Sequence, residues 1–184
     1  SVSVGSNADE FSRPYLLQSS ANRLVDLHLD LGHYDQALTL TNTLRNEPDM
    51  EPDLSERRGW AHFKLGDYDN ARNDIDTAIA TIELNEDGEY RSYYIREKAD
   101  YLAQLLMVHH RESLAGRTSA PPTRDRQRLL EELDAIDLSL DEYKAHLQRQ
   151  CDCGNKTGYR HERSLAMRDA VYEYFGGEPV APAR

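Results

Sequence analysis

Seven histidines, 33 aspartates and glutamates and two cysteines are the side chains of this sequence able to move protons, hold metals or attack electrophiles. Cys151 and Cys153, with His161 and Glu162 after them, form the one grouping with ligand chemistry, because two thiolates and an imidazole suit tetrahedral zinc. Their spacing is Cys-x-Cys rather than Cys-x-x-Cys, a fourth ligand is missing, and the pair is too close for an easy disulfide. A loop with two free thiols is therefore expected, without metal. His109 and His110 are adjacent on a helix and point roughly 100° apart, which prevents them from sharing an ion in the i, i+4 manner. There is no GxxxxGK[ST] phosphate cradle, no GxGxxG after a strand, no GxSxG elbow and no HExxH. No catalytic residue, cofactor or metal is expected.

Side chains that recognise rather than react need a scaffold, and the scaffold is written as a repeat. Leu31-Gly32-His33-Tyr34-Asp35-Gln36-Ala37 recurs as Leu65-Gly66-Asp67-Tyr68-Asp69-Asn70-Ala71, an offset of 34 residues. Leu24, Leu27, His28 and Leu31 fall at three- and four-residue spacing, and the glycine that follows permits a left-handed cap. Tyr34 and Tyr68 would wedge between the two helices of each unit, while Ala37 and Ala71 would let those helices approach closely. Leu38, Leu40 and Leu44, then Ile75, Ala78, Ile79 and Ile82, continue the buried stripe. Pro48 and Pro52 close the first unit. His28 and His62 take the same place in both units, which reads as interhelical packing. Two such signatures at this period resemble the tetratricopeptide repeat family over roughly residues 18–85. The large aromatic that the family places early in the first helix is Ala21 in one unit and Ser55 in the other.

The resemblance implies an all-α solenoid of antiparallel helical hairpins, about seven or eight helices, with a long helix and a C-terminal helical extension. The expected limits are a flexible segment over 1–14, a single helical domain over 15–175 and a frayed tail over 176–184. Within the domain lie repeats over about 18–51 and 52–85, a long helix over 89–115, and C-terminal helices over 125–150 and 160–175. Gly116 to Thr123, with Pro121-Pro122, reads as the clearest loop. Leu129, Leu133, Ile136, Leu140, Tyr143 and Leu147 form a heptad-like seam, which packs on the long helix or on a second chain. Ser139-Leu140-Asp141-Glu142 resembles a capping box at which that helix would divide.

In such a fold the first helix of each unit lines a concave face where a ligand lies. The resemblance places Asn22, Asp26 and Leu29 there from the first unit, Glu56, Trp60, Phe63 and Lys64 from the second, and Tyr90, Tyr94 and Glu97 from the long helix. Trp60 and Phe63 share a face and are the residue types that anchor peptides. Family members that grip acidic tails use Lys, Asn and Arg, whereas Asp26 and Glu56 here would repel such a tail. A basic, amphipathic or aromatic-bearing partner matches better. If the helices after Gly88 fold back and bury Trp60, the groove is closed and the oligomerisation or structural reading takes the lead.

A net charge of -11 argues against a nucleic-acid partner, the Arg124, Arg126 and Arg128 cluster notwithstanding. No run is apolar enough for a membrane span, and two cysteines fit a reducing, cytoplasmic setting. The start at Ser1 without Met reads as a processed product, an expression remnant or a domain cut from a longer chain. The expected function is a protein-interaction scaffold or sensor that binds a peptide or helix in its groove, as part of a larger regulatory protein. The alternatives are homo-oligomerisation, as a homodimer, through the 129–147 seam and, more remotely, a Cys/His metal- or thiol-dependent enzyme.

Overall fold

The computed structural model describes residues 8–44, 53–83, 91–117, 122–152 and 157–177. Among these residues there are eight helices and no strand: α1 Ala8–Asp30, α2 Tyr34–Leu44, α3 Asp53–Leu65, α4 Tyr68–Glu83, α5 Arg91–Leu114, α6 Thr123–Asp134, α7 Leu140–Asp152 and α8 Tyr159–Phe175. The chain is all-α in its described part, and no helix there is long and apolar enough to cross a membrane.

The signature glycines end helices as their chemistry requires. Gly32 has φ 71° and Gly66 φ 77°, the left-handed region that side chains resist. His33 N–H donates to the His28 carbonyl at 2.8 Å and Gly32 N–H to that of Leu29 at 3.1 Å. Asp67 N–H donates to His62 at 2.9 Å and Gly66 N–H to Phe63 at 3.1 Å. Both are Schellman caps, and they explain the matched histidines, which stand at the cap position that the closing residue touches. The His28 and His33 rings are 6.0 Å apart, and His62 Nδ1 lies 3.2 Å from the Asp67 carboxylate. Asp67 then serves the next helix, and its hydrogen bonds from Asn70, aided by His62, hold its carboxyl below the usual range.

The same cap ends α5 at Gly116, and a fourth copy uses Asp137, the one non-glycine residue with positive φ (51°) among those described. Leu138 N–H reaches the Leu133 carbonyl at 2.9 Å. This cap corrects the expectation of one helix over 125–150: α6 stops and α7 restarts. Ser139 and Glu142 form the capping box, with Glu142 N–H donating to Ser139 Oγ at 3.2 Å and Ser139 N–H to the Glu142 carboxylate at 2.9 Å. Two further boundaries differ. α1 begins at Ala8, inside the segment expected to be flexible, and runs through Pro14. α7 runs through Asp152, so Cys151 is helical and buried rather than in a loop. Pro48, Pro52 and Cys153 lie outside the described residues.

Each helix from α1 to α5 packs on its successor, and α5 on α6. The α3–α4 pair is drawn together at Gly59, where a Cβ would meet Ile75 Cγ1 at 3.0 Å and the Ala71 carbonyl oxygen at 3.3 Å. Ala37 and Ala71 are fully enclosed, as the repeat requires. α5 is buried all round between Tyr101 and Val108, touching α4, α6 and α8. Leu102, Leu105 and Leu106 each contribute about 1.5–3 kcal/mol by leaving water. Of the seam residues, Leu129, Leu133, Tyr143 and Leu147 are buried within the chain, and Ile136 and Leu140 are half-buried. α7 and α8 pack together, and α8 turns back across α5 to reach α1.

Candidate functional site

Residues 54–61 of α3 are buried in an unbroken run, four of them polar or charged. A helix with no wet face is enclosed on all sides, and such charges are tolerated only if paired. The partners of Arg57 and Glu56 identify what covers α3. Arg57 Nε donates to Asp26 of α1 at 2.6 Å. The same Asp26 accepts from Tyr159 Oη at 2.8 Å and from Arg160 Nη2 at 2.9 Å, both on α8. Glu56 pairs with Arg163, and Lys64 Nζ reaches the Glu162 carboxylate at 2.6 Å. α8 therefore lies along the faces of α1, α3 and α5 expected to bind a ligand.

Its entry point is built as closely. Gly158 has φ 89°, and a Cβ there would meet Asp30 Oδ1 at 2.6 Å. Tyr159 N–H, at the first position of α8, donates to that oxygen at 2.8 Å, so a carboxylate from the end of α1 caps the positive end of α8. Burial works against the charge on Asp26, but the hydrogen bond and charge of Arg57, with Tyr159 and Arg160, outweigh it and hold the carboxyl below the usual range. Burial, offset in part by Arg57, pushes Tyr159 up to about 12, so it stays a donor at neutral pH. Burial lowers Arg163 to about 10, with Asp26 and Asp53 opposing.

Of the clefts beside this contact, two adjoin Glu97 and Trp60. A polar one of about 280 Å³ is lined by Asp53, Glu97, Asp100, Gln104 and the guanidiniums of Arg57 and Arg163, among others. Burial, then the charges of Asp53 and Asp100, push Glu97 up to about 7. Beside it, Tyr143 Oη donates to Asp100 at 2.9 Å within the core. The other cleft, about 440 Å³, lies between Trp60, Phe63 and Tyr68 on one side and Leu114, Ala166 and Asp169 on the other. Trp60 stacks on Phe63 with centroids 5.1 Å apart, and Lys64 Nζ sits 5.4 Å from the Trp60 ring. Trp60 is 2 % exposed, covered rather than open, and its buried Nε1 has no hydrogen-bond partner.

Asn22, Asp26, Glu56, Trp60, Phe63, Lys64 and Glu97 thus surround α8 or the clefts beside it. Leu29 belongs to the core. Tyr94 falls in α5, and Tyr90 lies outside the described residues. Asp30, Arg57, Tyr159, Arg160 and Arg163 complete the contact and were not anticipated. The signal was present in Tyr159-Arg160-x-x-Arg163, a basic aromatic stretch of the kind the acidic groove calls for. Within the Arg124–Arg128 cluster, Arg128 lies near Asp76 and Glu83 and Arg126 over Phe175, while Arg124 is exposed. Among the described residues, no three His, Cys, Asp or Glu side chains gather as a metal site. Burial raises the Cys151 thiol, which disfavours the reactive thiolate. No family model matches the chain, and no curated protein or solved structure matches it either.

Proposed function

We propose that this chain is a protein-interaction module of tetratricopeptide-like helical pairs, whose groove across α1, α3 and α5 binds a peptide or helix, as a scaffold or sensor within a larger regulatory protein. The observation that carries the reading is the seating of a helical segment on that groove through charges of opposite sign: Asp26 to Arg160 and Glu56 to Arg163. A surface that accepts one helix by complementary charge and a caged N-terminus is chemically fit to accept another. No catalytic role is proposed.

A second reading is favoured by the burial of Trp60: the groove is permanently closed and the chain is a structural unit. Displayed random peptides selected on the full chain separate the two. An interaction module enriches sequences whose binding shifts the emission of Trp60, the only tryptophan, and that lose affinity when Asp26 is replaced. A structural unit enriches none that do so.

A further inference from the structure

The two halves of α8 are held by different forces. Its first two turns, Tyr159 to Ala166, meet the groove through Asp26, Asp30, Glu56 and Lys64, with Tyr159 and the guanidinium of Arg163 buried there. Its second half buries Met167, Ala170 and Val171 between α5 and α7. Ion pairs and hydrogen bonds of the first kind exchange at nearly equal free energy for the same bonds to another molecule, whereas apolar burial is surrendered only at full cost. The first half is replaceable and the second is an anchor.

Resting on the interaction-module reading above, we infer that the groove's partner is a basic segment bearing an aromatic followed by arginines one and four residues later, and that it binds by displacing the first two turns of α8. The chemistry required is that of Tyr159-Arg160-x-x-Arg163: a phenol and a guanidinium for Asp26, a second guanidinium for Glu56, and a free backbone N–H for Asp30. Acidic partners are refused, because Asp26, Asp53 and Glu56 line the clefts there and Asp30 stands at the Tyr159 N–H. Gly158 begins the displaced segment, and its φ of 89° with the 2.6 Å that a Cβ there would leave to Asp30 Oδ1 means that an added side chain unseats these turns.

The test is fluorescence anisotropy with a labelled peptide of residues 157–166 added to the full chain, compared among wild type, Gly158→Ala and the double variant Arg160→Ala/Arg163→Ala. Trp60 emission and far-UV circular dichroism confirm that each variant is folded, and either variant suffices if the other is not. The peptide is expected to bind both variants at least about tenfold tighter than wild type, since each weakens the internal competitor. A peptide with both arginines changed to glutamate is expected to lose binding. Equal affinity for wild type and variants, or undiminished binding of the acidic peptide, overturns the inference. If display-selected peptides bind the groove while this basic one does not, the partner class is wrong and the module reading stands. If nothing binds, both fall.

Discussion

Removing the carboxylate of Asp26 tests the junction of three helices at once. It accepts four hydrogen bonds, from Arg57 Nε at 2.6 Å and Nη2 at 3.4 Å, Tyr159 Oη at 2.8 Å and Arg160 Nη2 at 2.9 Å. Arg160 is largely exposed, so its share is about 0–1 kcal/mol. A hydrogen bond from a buried phenol to a charged acceptor is worth about 1.5–3 kcal/mol. Arg57, 6 % exposed at its side chain, would keep only the Asp53 carbonyl at 3.0 Å and its carboxylate at 3.7 Å. Stranding a buried guanidinium costs about 3–5 kcal/mol, reduced here because Asp53 remains. These shares overlap, so Asp26→Ala is expected to lose about 3–5 kcal/mol and Asp26→Asn about 2–3 kcal/mol. The pH dependence has a definite sign. The folded carboxyl titrates below the unfolded one, so its stabilisation is present above about pH 4 and is lost as pH falls through the lowered value. Urea denaturation followed by Trp60 emission at pH 7 and across pH 3–6 measures both effects. A loss under about 0.5 kcal/mol for Asp26→Asn, within the range of an ordinary surface change, would refute the reasoning.

Glu97→Gln is expected to stabilise the chain at pH 8 by up to about 3 kcal/mol, at about 1.4 kcal/mol per pKa step, and to leave stability at pH 4 unchanged, as read by the same denaturation. Gly59→Ala is expected to destabilise by about 0.5–2 kcal/mol, because crowding against Ile75 and the Ala71 carbonyl exceeds the gain in helix propensity; thermal unfolding that rises instead would show that α4 yields freely. Tyr143→Phe leaves the buried Asp100 without its nearest donor and is expected to cost about 1–3 kcal/mol, seen as a lower urea midpoint with unchanged slope.

The turns were legible because a left-handed cap demands glycine, and two copies at a fixed period identify it. Gly32 and Gly66 took that conformation. Asp137 was not legible as the cap, because aspartate enters the left-handed region only where the surrounding bonds compel it, although the capping box at Ser139 and Glu142 signalled a break inside the heptad-like seam. Periodicity marked which residues of the 129–147 stretch are buried, but it does not say whether the covering surface belongs to the same chain. Here it does, through α5 and α8. Asp26 and Glu56 were readable as carboxylates that need cationic neighbours. That the groove is met by residues more than 100 positions later was not, since pairing across such a separation leaves no local pattern.

Asp26 and Glu97 both border the first turns of α8, yet they pull its pH dependence in opposite directions. Asp26 titrates below its unfolded value, so its contribution vanishes in acid. Glu97 titrates near 7, above its unfolded value, so ionising it imposes a penalty that is absent below about pH 4.5 and complete above about pH 7. The two conditions overlap only in a narrow acidic interval. Groove closure by α8 is therefore expected to be firmest near about pH 5 and to loosen toward neutrality as Glu97 ionises beside Asp53 and Asp100. A partner carrying the same aromatic and arginines meets the same Glu97, so its ionisation weakens the internal helix and such a partner alike, and the competition between them is expected to change little with pH. Urea denaturation at pH 5 and pH 7.5 decides the closure: a midpoint no lower at pH 7.5 than at pH 5 would separate Glu97 from the seating of α8.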